Sequence, residues 1–173
     1  LRLVAACVSW PDGAARRSRI SAAGAGVQSW DRVVRLAERH RVVGLVQNGV
    51  AAARLALPPE TARYLSGRAQ AVALDELRMA GEALRLVRTI EAAGIPVRVI
   101  KGAAVAVLAF GRLGLRFNHD IDILVAPADV ARTAELLTAA GYRRTEPAAD
   151  AAEARVQRWL RDRKDMAYWH EAS

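Results

Sequence analysis

The sequence predicts an α+β fold, a small mixed sheet with flanking helices preceded by a helical N-terminal region. Three observations carry that expectation. Apolar residues recur at helical spacing over much of the chain up to Ala93. Beyond Gly94 the run Pro96-Val97-Arg98-Val99-Ile100 is short, β-branched and bounded by Pro and Gly, as a buried strand is. A second such run, Ile121 to Val125, follows an apolar helical stretch, so strand, helix, strand and helix alternate thereafter.

Taken in order, residues 1 to 10 are apolar and helix-compatible, whereas Pro11 to Gly26 gathers Pro, Gly, Ser and paired arginines and is expected to be a loop. Ser29 is placed to cap a helix from Trp30, whose apolar side takes Val33, Val34 and Ala37 and continues in Val42, Val43, Leu45 and Val46. Pro58-Pro59 interrupts it. From Thr61 to Ala93 Leu74, Leu77, Leu84, Val87 and Ile90 step at threes and fours, predicting one long helix that Gly94 ends.

Lys101-Gly102 closes the first strand, Ala103 to Phe110 forms a short apolar helix, and Gly111 to Gly114 a turn. After the strand at Ile121 to Val125, Pro127 and Asp129 open a helix through Val130, Ala134 and Leu137, and Gly141 terminates it. Tyr142 to Thr145 is expected to be a third strand, and the tail from Ala148 a charged helix ending in Tyr168-Trp169-His170. The change of periodicity divides the chain into a helical region, residues 1–93, and a core, residues 94–173, with no internal repeat.

Composition narrows the class. Hydrophobic residues make up 53% and charged residues 25% of the 173, and no apolar stretch is long enough to span a bilayer, so a soluble, non-membrane protein is expected, and the single cysteine makes a reducing cytoplasm the expected compartment. Lys and Arg number 26 against 18 Asp and Glu, a net charge of +8 that attracts anions such as nucleotide phosphates or RNA. Most of these cations sit at helical spacing, the pattern of a solvated basic face. A single cysteine, Cys7, excludes an internal disulfide and a cysteine-rich zinc site; it reads as a small buried hydrophobe. Trp30, Trp159 and Trp169 are assigned to packing, and His40 to solvent.

The chemistry is concentrated in "RFNHDIDILV", residues 116 to 125. On a strand Asp120 and Asp122 share one face about 6.6 Å apart, while Ile121 and Ile123 share the other. Two carboxylates at the edge of a core repel, and persist only with protons, basic partners or a divalent cation. Arg112 and Arg116 are the nearest basic candidates for a purely structural role. Mg²⁺ takes one or two carboxylates together with substrate phosphates. Upstream, Lys101-Gly102 sits between a strand and a helix, where free amides and the helix dipole favour a phosphate and glycine permits close approach.

In this order, "VRVIKGAAVAVLAFGRLGLRFNHDIDILV" resembles the nucleotidyltransferases of the DNA polymerase β superfamily. Ile-Lys-Gly, Arg116, "DIDILV", "AGY" at residues 140 to 142 and "AERHRVVGLV" at residues 37 to 46 are most similar to its uncharacterised bacterial branch. That branch is similar in turn to the nucleotidyltransferase toxins of abortive-infection systems. The resemblance implies a polymerase β-like core in which Asp120 and Asp122 are catalytic and bind Mg²⁺ (or Mn²⁺). It also implies that Lys101, Gly102, the amide of Ala103 and Arg116 bind the nucleotide, with Lys101 counted among the catalytic groups. The implied reaction moves a nucleoside monophosphate from a nucleoside triphosphate to a hydroxyl of an unknown acceptor, which could be a small molecule, a peptide or RNA.

Three departures stand out. The turn is Lys-Gly-Ala in place of Gly-Ser, and His119 stands where a small hydroxyl residue is usual. The third carboxylate that the superfamily carries on a later strand is not evident before Ser173, where Asp162, Asp165 and Glu171 lie in the charged tail. The core is therefore expected to be incomplete at its C-terminus. Two other functions compete: a catalytically inactive binding module of the same fold, and a basic RNA-binding protein with strongly salt-dependent affinity.

Overall fold

The computed structural model describes residues 1–163 and 165–171. Five helices come first: α1 (Arg2–Val8), α2 (Ala14–Ala25), α3 (Trp30–Arg39), α4 (Val43–Ala52) and the long α5 (Pro59–Ala92). Then follow β1 (Val97–Val99), α6 (Ala103–Phe110), β2 (Ile123–Val125), α7 (Val130–Ala139), β3 (Arg143–Glu146), α8 (Glu153–Asp162) and β4 (Ala167–Trp169). The α+β class holds. The strands form two two-stranded sheets among the described residues, β1 with β2 and β3 with β4, in place of one small mixed sheet.

By packing, the chain divides into two interleaved units, residues 1–83 with 99–122 and residues 84–98 with 123–173. The first unit has a helical core. α1 packs on α2 and α4, and Leu3, Val4, Cys7, Ile20, Val33, Ala37, Val46 and Leu65 are all buried together. α3 starts as its sequence requires, with the Ser29 hydroxyl accepting from the Arg32 N–H at 3.3 Å. Arg41, at φ 56°, turns the chain between α3 and α4, so the apolar positions from Val33 to Val46 belong to two helices.

The expected loop at Pro11 to Gly26 is a correction: twelve of its residues are α2. Pro11 and Gly13 precede it, and Ala and Arg, both good helix formers, supply eight of its twelve residues. Its inner face buries Ile20 and also Arg16, which is only 1% exposed. Arg16 donates to the Cys7 carbonyl at 2.5 Å, to Asn48 Oδ1 at 3.2 Å and to Asp12 Oδ1 at 3.1 Å, and lies over the Trp10 ring. Long-range partners that no local pattern encodes thus hold α2.

α5 runs as one helix from Pro59, the favoured first-turn position for proline. Its buried positions are Leu65, Val72, Glu76, Ala83, Leu86 and Ile90. Leu74, Leu77 and Leu84, expected on the apolar face, are each more than half exposed. In the second unit Thr133 and Leu137 of α7 and Val156 of α8 are buried. β3 and β4 pair antiparallel there, Arg143 opposite Trp169 and Arg144 opposite Tyr168, with an irregularity before Glu146. β4 corrects the expected helical tail: at three residues it is too short to show an alternation in sequence. No helix of the described residues is long and apolar enough to cross a membrane.

Candidate functional site

β1 ends at Val99, yet its pairing reaches one residue further, because the Ile100 N–H donates to the Asp122 carbonyl at 3.0 Å. Asp120 and Asp122 lie just ahead of β2, which begins at Ile123, and not inside a strand that begins at Ile121. That bond sets Lys101 beside Asp122: Lys101 Nζ is 3.2 Å from Asp122 Oδ1. Neither Arg112 nor Arg116 pairs with the aspartates among the described ion pairs.

Gly102 turns the chain into α6 with φ 61° and ψ −129°, a conformation open essentially to glycine alone. A Cβ at this position would sit 3.4 Å from the Asp120 carbonyl, so the turn and the aspartate loop are in close contact. No side chain caps α6. The first-turn amides, Ala103 included, have no intrahelical partner and carry the positive end of the helix dipole.

The two aspartates differ in setting. Asp120 is exposed, whereas the Asp122 side chain is 28% exposed, and its Oδ2 is buried with no hydrogen-bond partner. A buried carboxylate oxygen without a partner is costly, and a hard cation is one group that satisfies it. Two carboxylates completed by water and phosphate oxygens are the kind of donor set a divalent ion takes. No group of three or more His, Cys, Asp or Glu side chains among the described residues is placed to hold a metal.

The loop from Gly111 to His119 is held from two helices. Gly111, left-handed at φ 68°, ends α6 by donating to the Val107 carbonyl. Gly44 of α4 lies against the carbonyls of Gly114 and Leu115, and Ala73 of α5 against Gly114. Glu76 of α5, 1% exposed, accepts from the Gly114 N–H with Oε2 and from Asn118 Nδ2 at 2.8 Å with Oε1. Burial pushes its carboxyl upward, against the lowering effect of those two bonds and of the Arg116 charge. Phe117 and His119 meet edge to face at 4.2 Å.

Lys101, Gly102, Asp120 and Asp122 thus come together, with Ala103 next to the turn. Arg116 is exposed on the loop, and its charge acts on Glu76. Glu76 and Asn118 were not among the expected site residues. One local signal marked Glu76: it shares the helical stripe of Val72 and Ala83, where a carboxylate is out of place unless something holds it.

No curated protein and no solved structure matches the chain. A family model described as "Uncharacterised nucleotidyltransferase" matches residues 27–171, which takes in both the Lys-Gly turn and the aspartate pair. The chain therefore belongs to this nucleotidyltransferase family.

Proposed function

We propose that the chain is a metal-dependent nucleotidyltransferase of polymerase β-like fold, moving a nucleoside monophosphate from a nucleoside triphosphate to a hydroxyl of an acceptor. The observation that carries this reading is the partnerless, buried Oδ2 of Asp122 beside Lys101 and the Gly102 turn. Asp120 and Asp122 would hold Mg²⁺ or Mn²⁺, which when bound supplies charge neutralisation at the phosphates. Gly102 lets the backbone approach the triphosphate, and the Ala103 amide donates to it.

Lys101 is 65% exposed, so its ammonium is free to exchange Asp122 for a phosphate oxygen as nucleotide binds. Arg116, on the same loop, adds a second cation for phosphate. The chemistry is in-line attack by the acceptor hydroxyl on the α-phosphorus, with pyrophosphate leaving, and rests on positioning and electrostatics. We place it in the cytoplasm, which suits the free buried thiol of Cys7.

Calorimetric titration with nucleoside triphosphates, with and without Mg²⁺, tests the proposal. Binding should require the metal and weaken at least about 10-fold in Asp120→Asn and Asp122→Asn. Metal-independent binding, or folded variants that bind unchanged, would refute it. A non-catalytic module of the same fold is the second reading. Metal-dependent binding without pyrophosphate release would select it.

A further inference from the structure

We infer that Glu76 is a positioning residue for this site: its two carboxylate oxygens hold the chain from Gly114 to Asn118 so that Asp120 and Asp122 are presented to the metal–nucleotide complex. The inference rests on the assignment of those aspartates as metal ligands. Glu76 faces the interior from a 34-residue helix, in a stripe otherwise apolar. A carboxylate there loses its hydration and recovers it only through well-placed donors.

Each oxygen has one: the Gly114 N–H on Oε2 and the Asn118 amide on Oε1 at 2.8 Å. These anchors bracket Arg116, and Asp120 follows two residues after Asn118. The same loop also lies against Ala73, one turn before Glu76 on α5, and against Gly44 of α4, and Leu115 is 2% exposed. A loop fixed at Gly114, Leu115 and Asn118 has little freedom left at Asp120. An apolar side chain would fill the space at Glu76 but would leave the Gly114 N–H without its acceptor.

The test uses Glu76→Leu, Glu76→Gln, Asn118→Ala, Asp120→Asn and Asp122→Asn in the full chain. Binding of each ribonucleoside triphosphate with Mn²⁺ is read by calorimetry, stability by thermal unfolding, and loop order by amide exchange at Gly114 and Leu115 without metal. Glu76→Leu, of similar volume, should weaken Mn²⁺–nucleotide binding about 10- to 100-fold and speed exchange at both amides. Glu76→Gln should bind nearly as the unmodified protein does, because a turned Asn118 amide restores both hydrogen bonds.

Unchanged binding in Glu76→Leu, or equal losses in the Leu and Gln variants, overturns the inference. If Glu76→Leu fails to fold, Asn118→Ala decides: it should weaken binding and speed exchange, and unchanged values overturn the inference. Unchanged binding in the two aspartate variants removes the site assignment, and the role of Glu76 falls with it. Loss in those two with none in Glu76→Leu removes the role of Glu76 alone.

Discussion

Gly44→Ala tests how tightly the aspartate loop is seated. A Cβ on Gly44 would stand 2.6 Å from the Gly114 carbonyl oxygen, 2.7 Å from that of Leu115 and 2.9 Å from the Leu115 carbonyl carbon. These are backbone atoms, and they cannot rotate aside. Restoring ordinary contact needs the better part of an ångström of movement in a loop that Glu76 already holds at Gly114. Overpacking of this kind costs about 1–3 kcal/mol. Alanine's better helix propensity returns up to about 1 kcal/mol. The net loss, about 1 kcal/mol at mid-range, lowers Tm by roughly 2–4 °C in a chain of this size.

Circular dichroism melts measure the shift, and Gly67→Ala and Gly81→Ala serve as controls. Both lie on the exposed side of α5 with nothing within 4 Å of an added Cβ. They should stabilise by about 0.5–1 kcal/mol each. The same substitution thus gains stability on α5 and loses it on α4. A Gly44→Ala protein that melts at or above the unmodified one would refute the packing argument. If the proposed function holds, metal-dependent nucleotide binding should also weaken, since the displaced loop leads to Asp120.

Two further outcomes follow from single residues. Gly102→Ala places a side chain at φ 61° and 3.4 Å from the Asp120 carbonyl. It should cost about 1–3 kcal/mol in urea titrations and reduce triphosphate affinity, and an unchanged midpoint would show that the turn relaxes without strain. Burial pushes the Cys7 thiol up to about 11, partly offset by the Arg16 charge. The buried thiol therefore favours the folded state below the unfolded value near 9 and loses that contribution as pH rises toward 11. Stability should fall across this window by up to about 2–3 kcal/mol more in the native sequence than in Cys7→Ala, and parallel pH profiles would exclude the effect.

Punctuation and local pattern were readable in the chain. Gly94 at φ 77° and Gly141 at φ 89° end helices, Ser29 caps one, and Ala103 to Phe110 forms the helix its composition predicts. The Lys-Gly turn and the aspartate pair were visible as types at a spacing, and Cys7 is buried as expected. α2 was not readable, because Arg16 is stabilised by Cys7, Asn48 and Trp10 through contacts that only the folded chain brings together. Nor was the buried side of α5, where Leu74, Leu77 and Leu84 offered a more hydrophobic stripe than the one that packs.

The sequence by itself determined the α+β class and the residue types of the candidate site at residues 101–122, because turn geometry and strand propensity act over a few neighbours. Tertiary structure decided what holds that site. The pairing of Ile100 with Asp122 puts Lys101 on a carboxylate, and Gly44, Ala73 and Glu76 reach the loop across long sequence separations. Burial makes the Glu76 carboxylate dependent on those partners, and burial is a property of the packed chain.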